Sequence, residues 1–131
     1  MRDPRPGLAW SRGRVAIRRA YADWMASAAW HRRREAWRKQ WVDAHGTEPL
    51  CVICGGAWTL RGGDLHHRTY ARLGHERFAD VISLCRPCHD RLHQIMESTP
   101  AWRKMGQRHA TDLIVTTLAV RHATREGVGD G

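Results

Sequence analysis

The sequence predicts an α+β fold, mostly helical, in which a two-stranded hairpin and a following helix are braced by a metal ion. Three observations predict it. Two cysteine pairs of identical spacing, Cys51-x2-Cys54 and Cys85-x2-Cys88, enclose 30 residues. Two short runs inside that stretch, Asp64 to His67 and Val81 to Leu84, have the length and composition of strands. Apolar residues recur at helical spacing on both sides of it.

Composition narrows the class. With 131 residues, 42% hydrophobic and 27% charged, the chain has the length of one domain and the balance of a globular protein. The N-terminus lacks the apolar run of a signal peptide, and Leu113 to Val120 is too short to span a bilayer, so no membrane association and a cytoplasmic location are expected. Four cysteines in such a compartment read as metal ligands before disulfides. The net charge is +9, and residues 1–45 carry eleven Arg or Lys against four Asp or Glu. A one-sided basic segment attracts the phosphate backbone of DNA by counterion release, although charge alone fits a merely soluble basic surface equally well.

Taken in order, residues 1–12 are Pro- and Gly-containing and expected to be flexible, and residues 13–46 form a basic helical extension. Ile17, Tyr21 and Trp24 follow helical spacing, with Arg14, Arg18 and Arg19 off that stripe. Ser27 reads as the N-cap of a second helix that runs to about Ala44 and ends at His45-Gly46. Its Trp30, Trp37 and Trp41 share a face and are assigned to the core; Arg32, Arg33, Arg38 and Lys39 occupy the remainder and are candidates for DNA contact. Residues 68–79 are a loop with Gly74 at its middle. Pro87 suits the first turn of a third helix ending near Glu97, Thr99-Pro100 restarts the chain, and a last helix covers about Asp112 to His122. Residues 98–124 thus form a C-terminal helical region, with 125–131 a flexible tail.

Cys51, Cys54, Cys85 and Cys88 can grip one tetrahedral zinc ion, and four sulfurs leave no open coordination position, so this zinc is structural. His89 and His93 lie one turn apart on the third helix and can share a second ion, which His66 could complete, leaving positions open for water and a phosphate oxygen. His67 is then free to act as a general base. Neighbours on a regular strand point to opposite faces, so serving one phosphate together requires a bent strand or a reach round its edge.

The set Cys51-x2-Cys54, His66-His67, Leu84-Cys85-x2-Cys88-His89-x3-His93 resembles the HNH endonuclease family in its zinc-braced form. Upstream, Tyr21, Ser27, Trp30 and Arg34 resemble the helix that commonly precedes the first cysteine pair. The loop His66-His67-Arg68-Thr69-Tyr70-x-Arg72-x-Gly74-x-Glu76 is similar to a subset found in phage and prophage proteins. The resemblance covers about residues 21–93. It implies a ββα-metal, treble-clef-like core over 47–97 and metal-dependent hydrolysis of DNA phosphodiester bonds, by nicking or double-strand cutting, to 5′-phosphate and 3′-hydroxyl ends. It also implies His67 as general base, with His66, His89 and His93 holding a divalent Mg, Mn, Ni or Zn ion. Arg68 or Arg72 would assist at a phosphate oxygen. The setting implied is a bacterial host cell, with phage packaging proteins as partners. One residue departs from the pattern: Asp80 stands where the family has Asn. The resemblance implies that this Asn holds the catalytic loop through hydrogen bonds and so orients the base; aspartate keeps the acceptor and loses the amide donor, and could instead accept from His67 N–H or lie near the metal. The alternative is a zinc-braced nucleic-acid-binding module that does not cut.

Overall fold

The computed structural model describes residues 8–129, with side chains described from Ala16 to Glu126 apart from Ile17. Helices α1 (Leu8–Met25) and α2 (Ala28–His45) lead into a cysteine-bearing connector. Strands β1 (Gly63–His67) and β2 (Val81–Cys85) follow, then α3 (Arg86–Met96), α4 (Pro100–Met105) and α5 (Gln107–Gly129). Among the described residues no helix is long and apolar enough to cross a membrane.

Local chemistry sets the boundaries of α2. Ser27 is extended and its hydroxyl accepts from Trp30 N–H, satisfying one of the free donors of the first turn. Gly46 closes the helix at φ +74°, a left-handed conformation that glycine adopts without strain. Two other boundaries differ from the sequence expectation. The first helix starts at Leu8 and not at Gly13, so residues 8–12 are helical, and residues 1–7 of the expected flexible segment lie outside the described residues. The last helix starts at Gln107 and not at Asp112, because the break falls at Gly106 (φ +94°), and no proline or interior glycine stops it before residue 127. Residues 125–129, expected as tail, continue that helix, and residues 130–131 lie outside the described residues.

The strands pair antiparallel, from Gly63 opposite Cys85 to His67 opposite Val81. Alternation assigns Leu65, His67, Val81 and Ser83 to one face and Asp64, His66, Ile82 and Leu84 to the other. The first face packs on tryptophans: Trp30, Trp37 and Trp58 with Leu65 and Val81 form one core, flanked by Trp24, Trp41 and Phe78. The α2 tryptophans are therefore core residues, as their spacing predicts. The second face packs Leu84 on Leu92 of α3 and Ile114 of α5, together with Cys51 and Ile53. Arg34 fastens α2 to the connector by donating to Leu60 O at 2.7 Å and Gly63 O at 3.0 Å.

Candidate metal centres and the residues around them

The four cysteines converge from three elements. Cys51 and Cys54 sit in a turn closed by Gly55 N–H donating to Cys51 O (2.8 Å) and Cys51 N–H donating to Gly56 O (2.9 Å), with Gly55 at φ +73°. Cys85 ends β2 and caps α3, and Cys88 lies in the first turn of α3, where Pro87 costs no hydrogen bond. Their sulfurs all lie within 4.8 Å of one another. Ligands about 2.3 Å from a tetrahedral zinc stand about 3.8 Å apart, and Cys54 Sγ and Cys85 Sγ are separated by 3.7 Å. Gly56 N–H points at Cys54 Sγ at 3.4 Å, a donor that favours thiolate. Burial acts to raise the Cys51 thiol, but backbone N–H groups of Cys54, Cys85 and Ile53 outweigh it and lower it. Cys85 and Cys88 are pushed up, by burial first and then by neighbouring sulfurs. One cation among the four sulfurs lets all of them deprotonate. The donor set fits zinc.

The second cluster joins His89 and His93 of α3 to His66 of β1. His89 Nε2 is 3.0 Å from His93 Nε2 and 3.2 Å from His66 Nδ1. Nitrogens about 2.0–2.1 Å from one ion stand about 2.8–3.4 Å apart at octahedral to tetrahedral angles. The outer partners orient two rings. His89 donates Nδ1–H to Asp64 Oδ2 at 3.1 Å, which leaves Nε2 bare. His66 Nε2 meets Thr111 Oγ1 at 2.9 Å, and with that proton donated to Thr111 its Nδ1 is bare as well. Facing lone pairs repel, and a cation between them removes the repulsion. Burial, and then the neighbouring His89, His93 and His67 rings, push the His66 imidazole down to about 3, and His93 is lowered by burial first and by the His89 ring second. Both rings are therefore neutral near pH 7, the form that ligates metal. Three protein nitrogens leave coordination positions open.

His67 is not part of this cluster. The strand is regular through the His67–Val81 pair, so the ring lies on the opposite face, 1% exposed, stacked on Trp30 at 5.1 Å and Tyr70 at 5.4 Å with Tyr21 edge-on at 5.9 Å. Neither a bent strand nor a reach round the edge occurs. Its Nε2 is 2.7 Å from Glu76 Oε2, which also accepts from Trp24 Nε1 at 2.8 Å. Burial acts to raise the Glu76 carboxyl, but hydrogen bonds from His67, its own backbone and Trp24 hold it below the ordinary glutamate range. His67 Nδ1 and Glu76 Oε1 are buried with no partner among the described residues.

Asp80 neither accepts from His67 nor joins the histidine cluster; it ties the loop through hydrogen bonds, the role the resemblance gives to the Asn at this position. Its carboxylate accepts from Arg72 Nε at 2.7 Å and Arg77 N–H at 2.8 Å, while its carbonyl accepts from Arg68 N–H at 2.7 Å. It clamps both ends of loop 68–80. The partner expected of it at His67 is Glu76, a residue quoted for the resemblance and given no role there. Arg68 and Arg72 are corrected in the same way. Arg68 pairs with Asp112 through Nε (2.9 Å) and Nη2 (2.7 Å) and donates to Ala79 O, so both arginines brace the loop. Of the α2 candidates, Arg38 pairs with Glu48 and Lys39 with Asp43, whereas Arg32 and Arg33 are exposed.

Three partners of the histidines, and Trp24 as a donor to Glu76, are absent from the sequence expectation. Asp64 is two residues before His66, so strand alternation puts it on the same face, a usable signal. Thr111 and Gln107, which donates to His67 O at 2.9 Å, come from α5, more than 35 residues away, and carry no local signal. Trp24 was read only as an apolar stripe residue. No protein-family model matches the chain, and no curated protein or solved structure is significantly similar to it.

Proposed function

We propose that the chain is a metal-dependent endonuclease of the HNH type, hydrolysing DNA phosphodiester bonds from a ββα-metal core over residues 47–97. The observation that carries this reading is the convergence of His66, His89 and His93 nitrogens, with Asp64 and Thr111 behind them, on a hairpin and helix joined to a four-cysteine cage. A structural zinc needs no second cluster with open positions. His66, His89 and His93 would hold Mg, Mn, Ni or Zn, and neutral imidazoles favour the later transition metals by affinity. A divalent ion bound there supplies Lewis-acid stabilisation of charge on the phosphate and on the departing 3′ oxygen.

The general base falls to His67 Nδ1, since Nε2 is committed to Glu76. The assignment requires two movements: Tyr21 and Tyr70 must part to admit water, and the end of β1 must turn so that His67, on the sheet face opposite His66, reaches the phosphate held at the three histidines. Loop 68–80, clamped by Asp80, Arg68 and Arg72, fixes Glu76 and thereby the imidazole. A phage or prophage protein acting in the bacterial cytoplasm beside packaging proteins is the setting of the same proposal. One observation favours the second reading, a zinc-braced nucleic-acid-binding module that does not cut: the burial of His67 away from the three-histidine cluster.

Cleavage of supercoiled plasmid at low salt across Mg, Mn, Ni and Zn tests the proposal. The wild type is expected to nick with at least one ion. His67→Ala is expected to lose on the order of 100-fold or more while keeping its metal content, in line with a general base's contribution. Undiminished cutting by a folded His67→Ala protein removes His67 from the chemistry. DNA binding without cutting by the wild type selects the binding module.

A further inference from the structure

A cleft of about 200 Å³ opens beside the three histidines, between α2, the 58–64 connector and the start of α3. Its rim carries His31, Arg34, Arg61 and Arg86, and it runs directly to His89 and Asp64. Its charge is unbalanced: three guanidinium groups face one carboxylate. Arg34 donates to carbonyl oxygens of Leu60 and Gly63, which fix its position without neutralising it. Arg86 makes a single long contact, 3.4 Å to Asp64 Oδ1, and its side chain is 59% exposed. Asp64 is already engaged by His89. Arg61 is exposed and pairs with no carboxylate among the described residues.

Several other basic side chains are neutralised. Arg38, Lys39, Arg68 and Arg72 each have a carboxylate partner. The cleft on the other side of the cluster, about 320 Å³ and lined by His93, Met96, Glu97, Trp102, Arg103 and Gln107, balances Glu97 against Arg103. Of these two clefts, only the one lined by Arg34, Arg61 and Arg86 has more guanidinium than carboxylate groups. Low-dielectric walls on that side, from Met25, Trp30 and Leu60, strengthen its field.

We propose that this cleft seats the phosphate next to the one held at the histidines, with Arg61 and Arg86 as its contacts, so that the DNA backbone enters from the α2 and β1 side. The inference rests on the endonuclease reading and adds to it the direction of approach and two contact residues. Arg34 acts at one remove, as a fixed positive charge that also holds the connector carrying Arg61.

The test is binding of a short fluorescein-labelled DNA duplex to the zinc-loaded protein without added divalent ion, over a range of salt, with plasmid cleavage alongside. Arg61→Gln/Arg86→Gln is expected to flatten the slope of log K against log salt by about 1–2, since each lost phosphate contact removes about 0.9. Arg86→Lys keeps the charge and is expected to keep most of the slope, and the charge-matched Arg121→Gln/Arg125→Gln, near the end of α5, is expected to leave it near the wild-type value. A wild-type slope in the Arg61/Arg86 double variant, folded and zinc-loaded, overturns the proposal. If the wild type binds, the double variant flattens the slope and no ion supports cutting, the cleft stands as the backbone contact and the catalytic reading alone falls. If the wild type binds no DNA, both fall.

Discussion

His66 and His67 are adjacent in sequence and have nothing in common in surroundings. One ring faces two histidines and the other sits among aromatics against Glu76, because successive strand residues point to opposite faces. The neighbouring positions are as constrained. A Cβ on Gly63 would lie 2.3 Å from the Trp58 ring, whose Nε1 is tied to Asp64 O at 2.8 Å. Gly63→Ala is therefore expected to cost about 1–3 kcal/mol by overpacking, read as a lower melting temperature; an unchanged melting temperature would mean that Trp58 can move aside. Asp80 gives a prediction in pH. Hydrogen bonds from Arg72, ahead of the Arg77 N–H, hold its carboxyl down at about 2. An unperturbed aspartate titrates near 3.9, so the stabilisation is complete above about pH 4 and is lost as pH falls toward about 2. In Asp80→Asn the acid limb of the stability curve should be shallower over that window; an unchanged limb would show that the Arg72 pair contributes nothing. At this scale the sequence disclosed which residue types matter. Asp64 was readable from strand alternation, whereas the Glu76 pairing depends on how loop 68–80 folds back across nine residues.

Helix α3 is the element that joins the two metal centres. Cys88 in its first turn faces the cysteine cage, Leu92 is fully buried, and His89 and His93 project toward β1. The spacing Cys-His-x3-His made that legible, as Ser27 and Gly46 made the ends of α2 legible. Helix α5 was the opposite case. The sequence expectation places its beginning near Asp112, while the break falls at Gly106, and Thr111 supplies a partner to His66 from inside the helix. Asp64 on β1 and Thr111 on α5 thus act on the same cluster from different elements. Asp64→Asn is expected to weaken binding of the ion at the histidines about 10–100-fold and to leave the cysteine-bound zinc in place. Calorimetric titration with Ni checks this, and an unchanged affinity would remove Asp64 from the site.

The molecule has two small cores separated by a two-stranded sheet, one rich in tryptophan and the other built around the cysteines. Cys51, Ile53, Leu84 and Leu92 pack beside the cage, so an ion bound there would tie the connector to β2 and α3. Cys54→Ser is accordingly expected to lose zinc and unfold cooperatively, followed by circular dichroism and metal content. A stable, zinc-free variant would contradict a structural role. Overall class, the cage and the tryptophan core were legible because spacing and periodicity encode them. The side of the sheet on which each histidine lies, and the pairing of Arg38, Arg68 and Arg72 with carboxylates, depend on packing between distant elements. The most direct test of the central claim counts ions and cutting together, by titrating Mn or Ni into zinc-loaded protein while following plasmid cleavage, with His89→Ala in parallel. The account predicts one retained zinc, a second exchangeable ion, cleavage that rises with its occupancy, and loss of both ion and cleavage in His89→Ala. A wild-type protein that binds no second ion, or that cuts equally well without His89, would contradict it.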